Sequence, residues 1–173
     1  MARNERIIKG SPRDVFDVLS DPRGYAYWVL GSMAIRDADP NWPAQGSRLH
    51  HTVGVGRLRI RDHTTVEAVE SDAYLQLKAD AGPMGSARVK LSLEEVEGGT
   101  RVTMVEDPAD KATAFLFMPL THLLMRGRNL RSLDRLAELA ERRRPMPGEE
   151  PGASNRTLQG GGAVENPRAR QRR

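Results

Sequence analysis

Apolar residues recur at every second position through the middle of this chain and at helical spacing near its two ends. Arg3 to Lys9, centred on Ile7 and Ile8, reads as a short strand. Ser11 is a good N-cap and Pro12 stands at the first helical position, where its missing N–H costs nothing. Val15, Phe16, Val18 and Leu19 then repeat with a helical period until Asp21-Pro22, because the residue before proline is pushed out of the α region. A second short helix carries Tyr25, Tyr27 and Trp28 and is expected to end at Gly31.

Strands are predicted near 33–38, 47–55, 58–70, 73–81, 85–96 and 100–107. Tight turns fall at Gly54 to Arg57, Ser71-Asp72, Gly82-Pro83 and Gly98-Gly99, and such regular spacing is that of an antiparallel meander. Period two separates the faces: Leu75, Leu77 and Ala79 oppose Gln76, Lys78 and Asp80, and Val89, Leu91 and Leu93 oppose Arg88, Lys90, Ser92 and Glu94. A long helix from about Thr113 to Arg142 closes the pattern. Its apolar surface is wide at Phe115, Leu116, Phe117 and Met118 and narrows to Leu130, Leu133, Leu136 and Ala140, so it is buried first and surface-lying later. An antiparallel sheet hides one face, and helices bracketing it imply a curved sheet closed by the last helix. That arrangement leaves room for a ligand between sheet and helix.

A chain of 173 residues is enough for one domain with a real core. The absence of cysteine excludes disulfides, thiolate metal sites and cysteine nucleophiles. The longest apolar run, Ala114 to Leu120, is far short of a membrane span, and no apolar segment follows the basic residues of the N-terminus. A cytoplasmic protein is the simplest reading. The net charge of +4 misleads: residues 142–173 hold eight Arg and three Glu, a net of +5, so residues 1–141 carry 4 − 5 = −1. Residues 1–142 are therefore expected to form the folded domain. Residues 143–173, rich in Arg, Gly and Pro, read as a disordered tail that cannot bury enough surface to order itself.

Alternation also places polar residues inside. If Leu49 and Val53 point inward, so does His51; if Leu58, Ile60 and Val66 do, so does Asp62; Val102 and Met104 carry Glu106 with them. On the long helix Met118, His122 and Met125 share a face. His51, Asp62, Glu106 and His122 are thus candidates for one cavity. A His beside a carboxylate can act as a general base, while the plainer account has these groups pairing with one another or standing at a wet cavity mouth. His50-His51 face opposite ways on a strand and cannot share an ion, so no metal is expected, and no cofactor is implied. Gly54-Val-Gly56 lacks a following helix and reads as turn chemistry. Trp28 and Trp42 are candidates for the cavity mouth, although an aromatic in a small domain is more often core.

The stretches SPRDVFDVLSDPRGYAYW, GSRLHHTVGVG, GGTRVTMVEDP and GRNLRSLDRLAELAE resemble the START-like, birch-pollen-allergen-like superfamily, and within it the polyketide cyclase/dehydrase group called SRPBCC. The resemblance covers about residues 3–141. It implies an α+β helix-grip fold: a seven-stranded curved antiparallel sheet wrapped around a long C-terminal helix, with two short helices after the first strand. It also implies a cavity for lipids, sterols, polyketides or hormones, with catalysis in a minority of members and no shared catalytic residue.

The leading expectation is therefore a binder of a small hydrophobic molecule. Its cavity would be lined by Trp28, Leu49, His51, Ile60, Asp62, Leu77, Leu91, Met104, Glu106, Met118, His122 and Met125, with entry near Trp28, Trp42 and Gly82-Pro83. The alternative is a polyketide or aromatic cyclase or dehydratase using His51 or His122 with Asp62 or Glu106. A third, nucleic-acid association through the Arg-rich tail, is disfavoured because the tail's composition reads more simply as a solvated, disordered extension. A monomer or a homodimer fits equally.

Overall fold

The computed structural model of the chain describes residues 2–30, 32–55, 58–80, 86–109 and 119–143; the side chains at 33, 53–55, 58–60 and 119–124 lie outside that description. In order come β1 (Ala2–Ile8), α1 (Pro12–Leu19), α2 (Pro22–Trp28), β2 (Ser32–Ala38), β3 (Arg48–Val55), β4 (Leu58–Glu70), β5 (Tyr74–Asp80), β6 (Ser86–Val96), β7 (Gly99–Pro108) and α3 (Pro119–Arg143). The strands form one seven-stranded sheet in the order β1-β7-β6-β5-β4-β3-β2, antiparallel at every pairing. All neighbours follow one another in sequence except β1 and β7. This is the α+β helix-grip arrangement that the family resemblance implies, and its antiparallel sheet with bracketing helices is what the alternating pattern predicts.

Local chemistry explains the elements. Ser11 and Asp14 form a capping box: the Ser11 hydroxyl accepts from the Asp14 N–H at 3.2 Å and the Asp14 carboxylate accepts from the Ser11 N–H at 2.8 Å. Asp21 caps α2 by accepting from the Arg23 N–H at 3.0 Å. That helix ends at Trp28 rather than at Gly31, which lies outside the described residues. Val29 is the cap, its N–H bonded to the Tyr25 carbonyl while its backbone already turns extended toward β2. Asp72 turns β4 into β5 with a φ of 62°, and Gly98 and Gly99 turn β6 into β7 at 90° and 142°. The expected turns at Gly54 to Arg57 and at Gly82-Pro83 fall wholly or partly on residues outside the description, as do the first turns of the long helix before Pro119 and the whole expected tail beyond 143.

The core lies between the inner face of the sheet and the helices. Leu75, Leu77, Leu91 and Val102 are buried from the sheet side, Leu133, Leu136 and Ala140 from α3, and Val15 and Leu19 from α1. A buried Leu or Val side chain contributes about 1.5–3 kcal/mol relative to exposure, so this face dominates stability. The β4–β5 register shifts once, between Val66 and Ala68. Asp62 and Thr64, before that bulge, stay in phase with Val66 on the inner face, and all three are buried. Among the described residues no helix is long and apolar enough to cross a membrane.

Candidate functional site

A pocket of about 340 Å³, counting the space at its open mouth, lies between the sheet, α2 and α3. Trp28, Val29 and Leu30 wall it at the end of α2, Leu77, Val89 and Met104 from β5, β6 and β7, and Tyr25 at its inner side. Glu106, Arg128, Asn129 and Ser132 supply its polar groups.

Glu106 is only 3 % exposed, a position where an unpaired carboxylate is costly. It is fully answered. A single guanidinium nitrogen of Arg128, Nη2, donates to both carboxylate oxygens at 2.6 Å, and Asn129 Nδ2 donates to Oε2 at 2.8 Å. Arg128 also donates to Asn129 Oδ1 at 3.3 Å from Nε and from Nη2, which locks the amide's orientation. Its side chain is 43 % exposed, so the pair runs from the buried wall to the mouth. Ser132 turns its hydroxyl to accept from the Leu30 N–H at 3.2 Å and thereby ties α3 to the segment leaving α2.

A second polar group stands behind Tyr25. The Tyr25 hydroxyl is 3.1 Å from Thr64 Oγ1, and Thr64 Oγ1 is 2.9 Å from His51 Nε2. The Tyr25 and His51 rings lie 5.4 Å apart. His51 Nδ1 and Trp28 Nε1 are buried without a partner among the described residues. His51 is directly opposite Asp62 across the β3–β4 pair, and Asp62 Oδ1 accepts from the His63 N–H at 2.6 Å. Burial, with Arg36 and then the neighbouring histidines adding, pushes the imidazole of His51 down to about 4. Burial likewise pushes the Asp62 carboxyl up to about 6, against the His63 N–H that favours its charged form. The Tyr25 hydroxyl is pushed up to about 12 by burial above all, with Asp62 and Glu106 both near enough to add.

The sequence-predicted residues divide accordingly. Trp28, Leu77, Met104 and Glu106 line the pocket. His51 and Asp62 face inward as alternation requires but belong to the group behind Tyr25. Leu49 and Leu91 are core, and Met125 is half-buried on α3 and does not line this pocket. Met118 lies outside the described residues, and so do the side chains of Ile60 and His122. Trp28 is fully buried in the wall rather than at a mouth, and Trp42 packs edge-on against Tyr25 and donates to the Leu19 carbonyl at 3.4 Å. Sequence reasoning missed Tyr25 as a wall residue, and Arg128, Asn129 and Ser132 altogether. Asn129 and Ser132 carried a signal: they fall at helical spacing with Leu133 and Leu136, polar residues on an apolar stripe. Arg128 carried none, because a long side chain reaches inward from the edge of that stripe.

A family model described as polyketide cyclase / dehydrase and lipid transport matches residues 2–141. The chain belongs to this family. No curated protein matches it by sequence. Among solved structures, the polyketide cyclase family member is similar to SA2116 of Staphylococcus aureus, a protein of unknown function, at 14 % identity and a TM-score of 0.63, over 82 % of this chain and 93 % of that one. MLL2253 of Mesorhizobium loti matches at 17 % identity and 0.62, over 83 % and 98 %. DynU16, a protein of the dynemicin biosynthetic locus, matches at 18 % identity and 0.60, over 81 % of this chain but 46 % of its own. At such identities these likenesses establish the fold alone, and the family description points to hydrophobic-ligand binding or a cyclase role.

Proposed function

We propose that this polyketide cyclase family protein holds a small, mainly apolar molecule in the pocket between β5, β6, β7 and α3, and that it works in the cytoplasm. The observation that carries the reading is the wall: apolar side chains from α2, β5, β6 and β7 with one polar group, Glu106–Arg128–Asn129, already paired and fixed among them. Apolar walls give affinity and a few placed polar groups give orientation, the usual division in ligand sites. Only about 40 Å³ of that space is enclosed, well below the ordinary range of about 300–1,000 Å³, so a molecule of more than a few atoms would occupy the open mouth as well or move the wall side chains aside. The family description supports the same class of ligand.

Native mass spectrometry of the purified protein beside its denatured mass tests this. The expected result is an extra mass that leaves on denaturation, or, for protein purified empty, saturable binding of an apolar naphthalene dye. Val89→Phe fills the pocket and is expected to weaken that dye about tenfold, near 1.4 kcal/mol, with circular dichroism unchanged. An empty wild type that takes up no dye sinks the proposal.

One observation favours a second reading, a cyclase or dehydratase. His51 and Asp62 stand opposite each other as a neutral imidazole, lowered to about 4, and a carboxyl raised to about 6, which near neutral pH is a carboxylate more basic than usual, the kind of base that proton abstraction needs. Glu106 suits that role less, since Arg128 and Asn129 occupy its oxygens. Under this reading Asp62→Asn abolishes turnover of a polyketide-like substrate and leaves its affinity intact; unchanged turnover removes Asp62 from the mechanism.

A further inference from the structure

The inner face of the sheet continues from the pocket past Tyr25 onto β4 and β3, where it carries two buried polar side chains, His51 and Asp62, opposite each other. His51, 2 % exposed, is bonded on one side only: Nε2 meets Thr64, and Nδ1 meets nothing among the described residues. Asp62, across the β3–β4 pair, has its Cβ about 4.5–5.5 Å from that of His51, as directly opposed residues do. It makes no bond to the imidazole and turns Oδ1 to the His63 backbone instead. Each such buried polar atom without a partner asks for an explanation.

We propose that His51 and Asp62 form the polar end of the ligand cavity and take a hydroxyl group of the bound molecule, which bonds His51 Nδ1 on one side and the Asp62 carboxyl on the other. The chemistry of the two side chains selects the group. The chain Tyr25–Thr64–His51 can be polarised in two directions. With Thr64 donating to Nε2, Nδ1 carries the hydrogen and needs an acceptor; with Nε2 donating to Thr64, Nδ1 needs a donor. A carbonyl only accepts and leaves the carboxyl unmet, an ammonium only donates, and an anion is repelled by Asp62. With Thr64 donating to Nε2, a hydroxyl accepts from Nδ1–H and donates its one hydrogen to the Asp62 carboxylate, so a single oxygen answers both residues in that polarisation. Water offers the same chemistry, and the ligand class that competes with it is an apolar alcohol or phenol. The inference rests on the pocket reading above and adds the hydroxyl.

Naphthalene and 2-naphthol separate the two sources, since they differ by that hydroxyl alone. The quantity to compare is the ratio of their dissociation constants in the full-length wild type, in Asp62→Leu and in His51→Phe, so that the hydration of naphthol cancels. A hydrogen bond to a charged or strongly polar partner is worth about tenfold or more in affinity. The naphthol preference is therefore expected to fall about tenfold in both variants. In the wild type, 2-naphthol is expected to shift the ¹⁵N resonance of His51 Nδ1 and naphthalene to leave it in place, a readout that needs no variant. Equal ratios in all three proteins with an unmoved resonance mean that water alone meets the two side chains; that overturns the proposal while the pocket stands. Failure of both compounds to bind the wild type brings down the pocket reading and this one with it.

Discussion

Burial moves the His51 imidazole from 6.5 down to about 4 and the Asp62 carboxyl from 3.8 up to about 6, and the two act on stability with opposite signs. Between 6.5 and 4 the unfolded chain binds more protons at position 51 than the folded one, so His51 lowers stability as pH falls through that window. Between 6 and 3.8 the folded chain binds more at position 62, so Asp62 raises stability as pH falls. In the wild type the two slopes largely oppose each other. Removing either one unmasks the other: relative to wild type, His51→Gln is expected to gain melting temperature from pH 6.5 to 4, and Asp62→Asn to lose it from pH 6 to 4. Parallel profiles for all three proteins would mean that neither group is buried as described. At Glu106 the expected effect is one of pairing. Arg128→Met leaves a buried carboxylate with Asn129 alone and is expected to cost about 2 kcal/mol in urea unfolding, less than for a fully buried pair because Arg128 is half in water. Adding Glu106→Gln to that variant should restore part of the loss.

Gly99 shows what one turn contributes to the pairing of two strands. With φ at 142° it passes so close to β1 that a Cβ there would stand 2.1 Å from the Ile8 carbonyl oxygen, whereas a Cβ at Gly98 would meet nothing within 4 Å. Gly99→Ala therefore forces β1 away from β7 and is expected to cost more than about 2 kcal/mol, while Gly98→Asn should cost about 1 kcal/mol or less. Similar urea midpoints for the two would contradict the close approach. The sequence marks Gly98-Gly99 as a turn but not this contact, because Ile8 lies some ninety residues earlier in the chain. The same limit separates what was legible in the site from what was not. Period two within a strand puts His51, Asp62 and Glu106 on the inner face, and all three are buried there. Which of them meets which depends on α2 crossing the sheet at Thr64 and on α3 laying Arg128 over β7, and contacts between elements leave no period to read. The capping box at Ser11, Pro12 and Asp14 was partly legible, its Ser and Pro being local chemistry.

At the scale of the whole molecule, one pairing sets the topology apart. Every ladder is a hairpin between consecutive strands except β1–β7, where Ala2 meets Glu106 across 106 − 2 = 104 positions. Loop-closure entropy makes such a contact the slowest to form and the least favoured in partly folded states. β1 is also held from the other side, by Asn4 Nδ2 donating to the Arg126 carbonyl at 3.2 Å and by the Arg6–Asp134 ion pair with α3. Hydrogen exchange is therefore expected to release β1 and α3 together, at a lower opening free energy than β5 and β6, a sub-global unit of the kind seen in native-state exchange. Protection of β1 equal to that of β6 would show that the closing strand is no weaker than the meander. Such an opening would lift α3 off the pocket, and ligand release would then report on the same event.

The far end of the sheet is β2, whose register against β3 shifts twice, between Ser32 and Ala34 and between Ile35 and Asp37. Arg36, within the second shift, reaches across β3 to the Asp62 carbonyl at 3.1 Å. An edge bent in this way offers an incoming chain no straight row of backbone donors and acceptors, and a charge stands in the middle of it. The sheet can therefore remain open at this edge, curled around α3, without inviting a neighbour to extend it into a fibril.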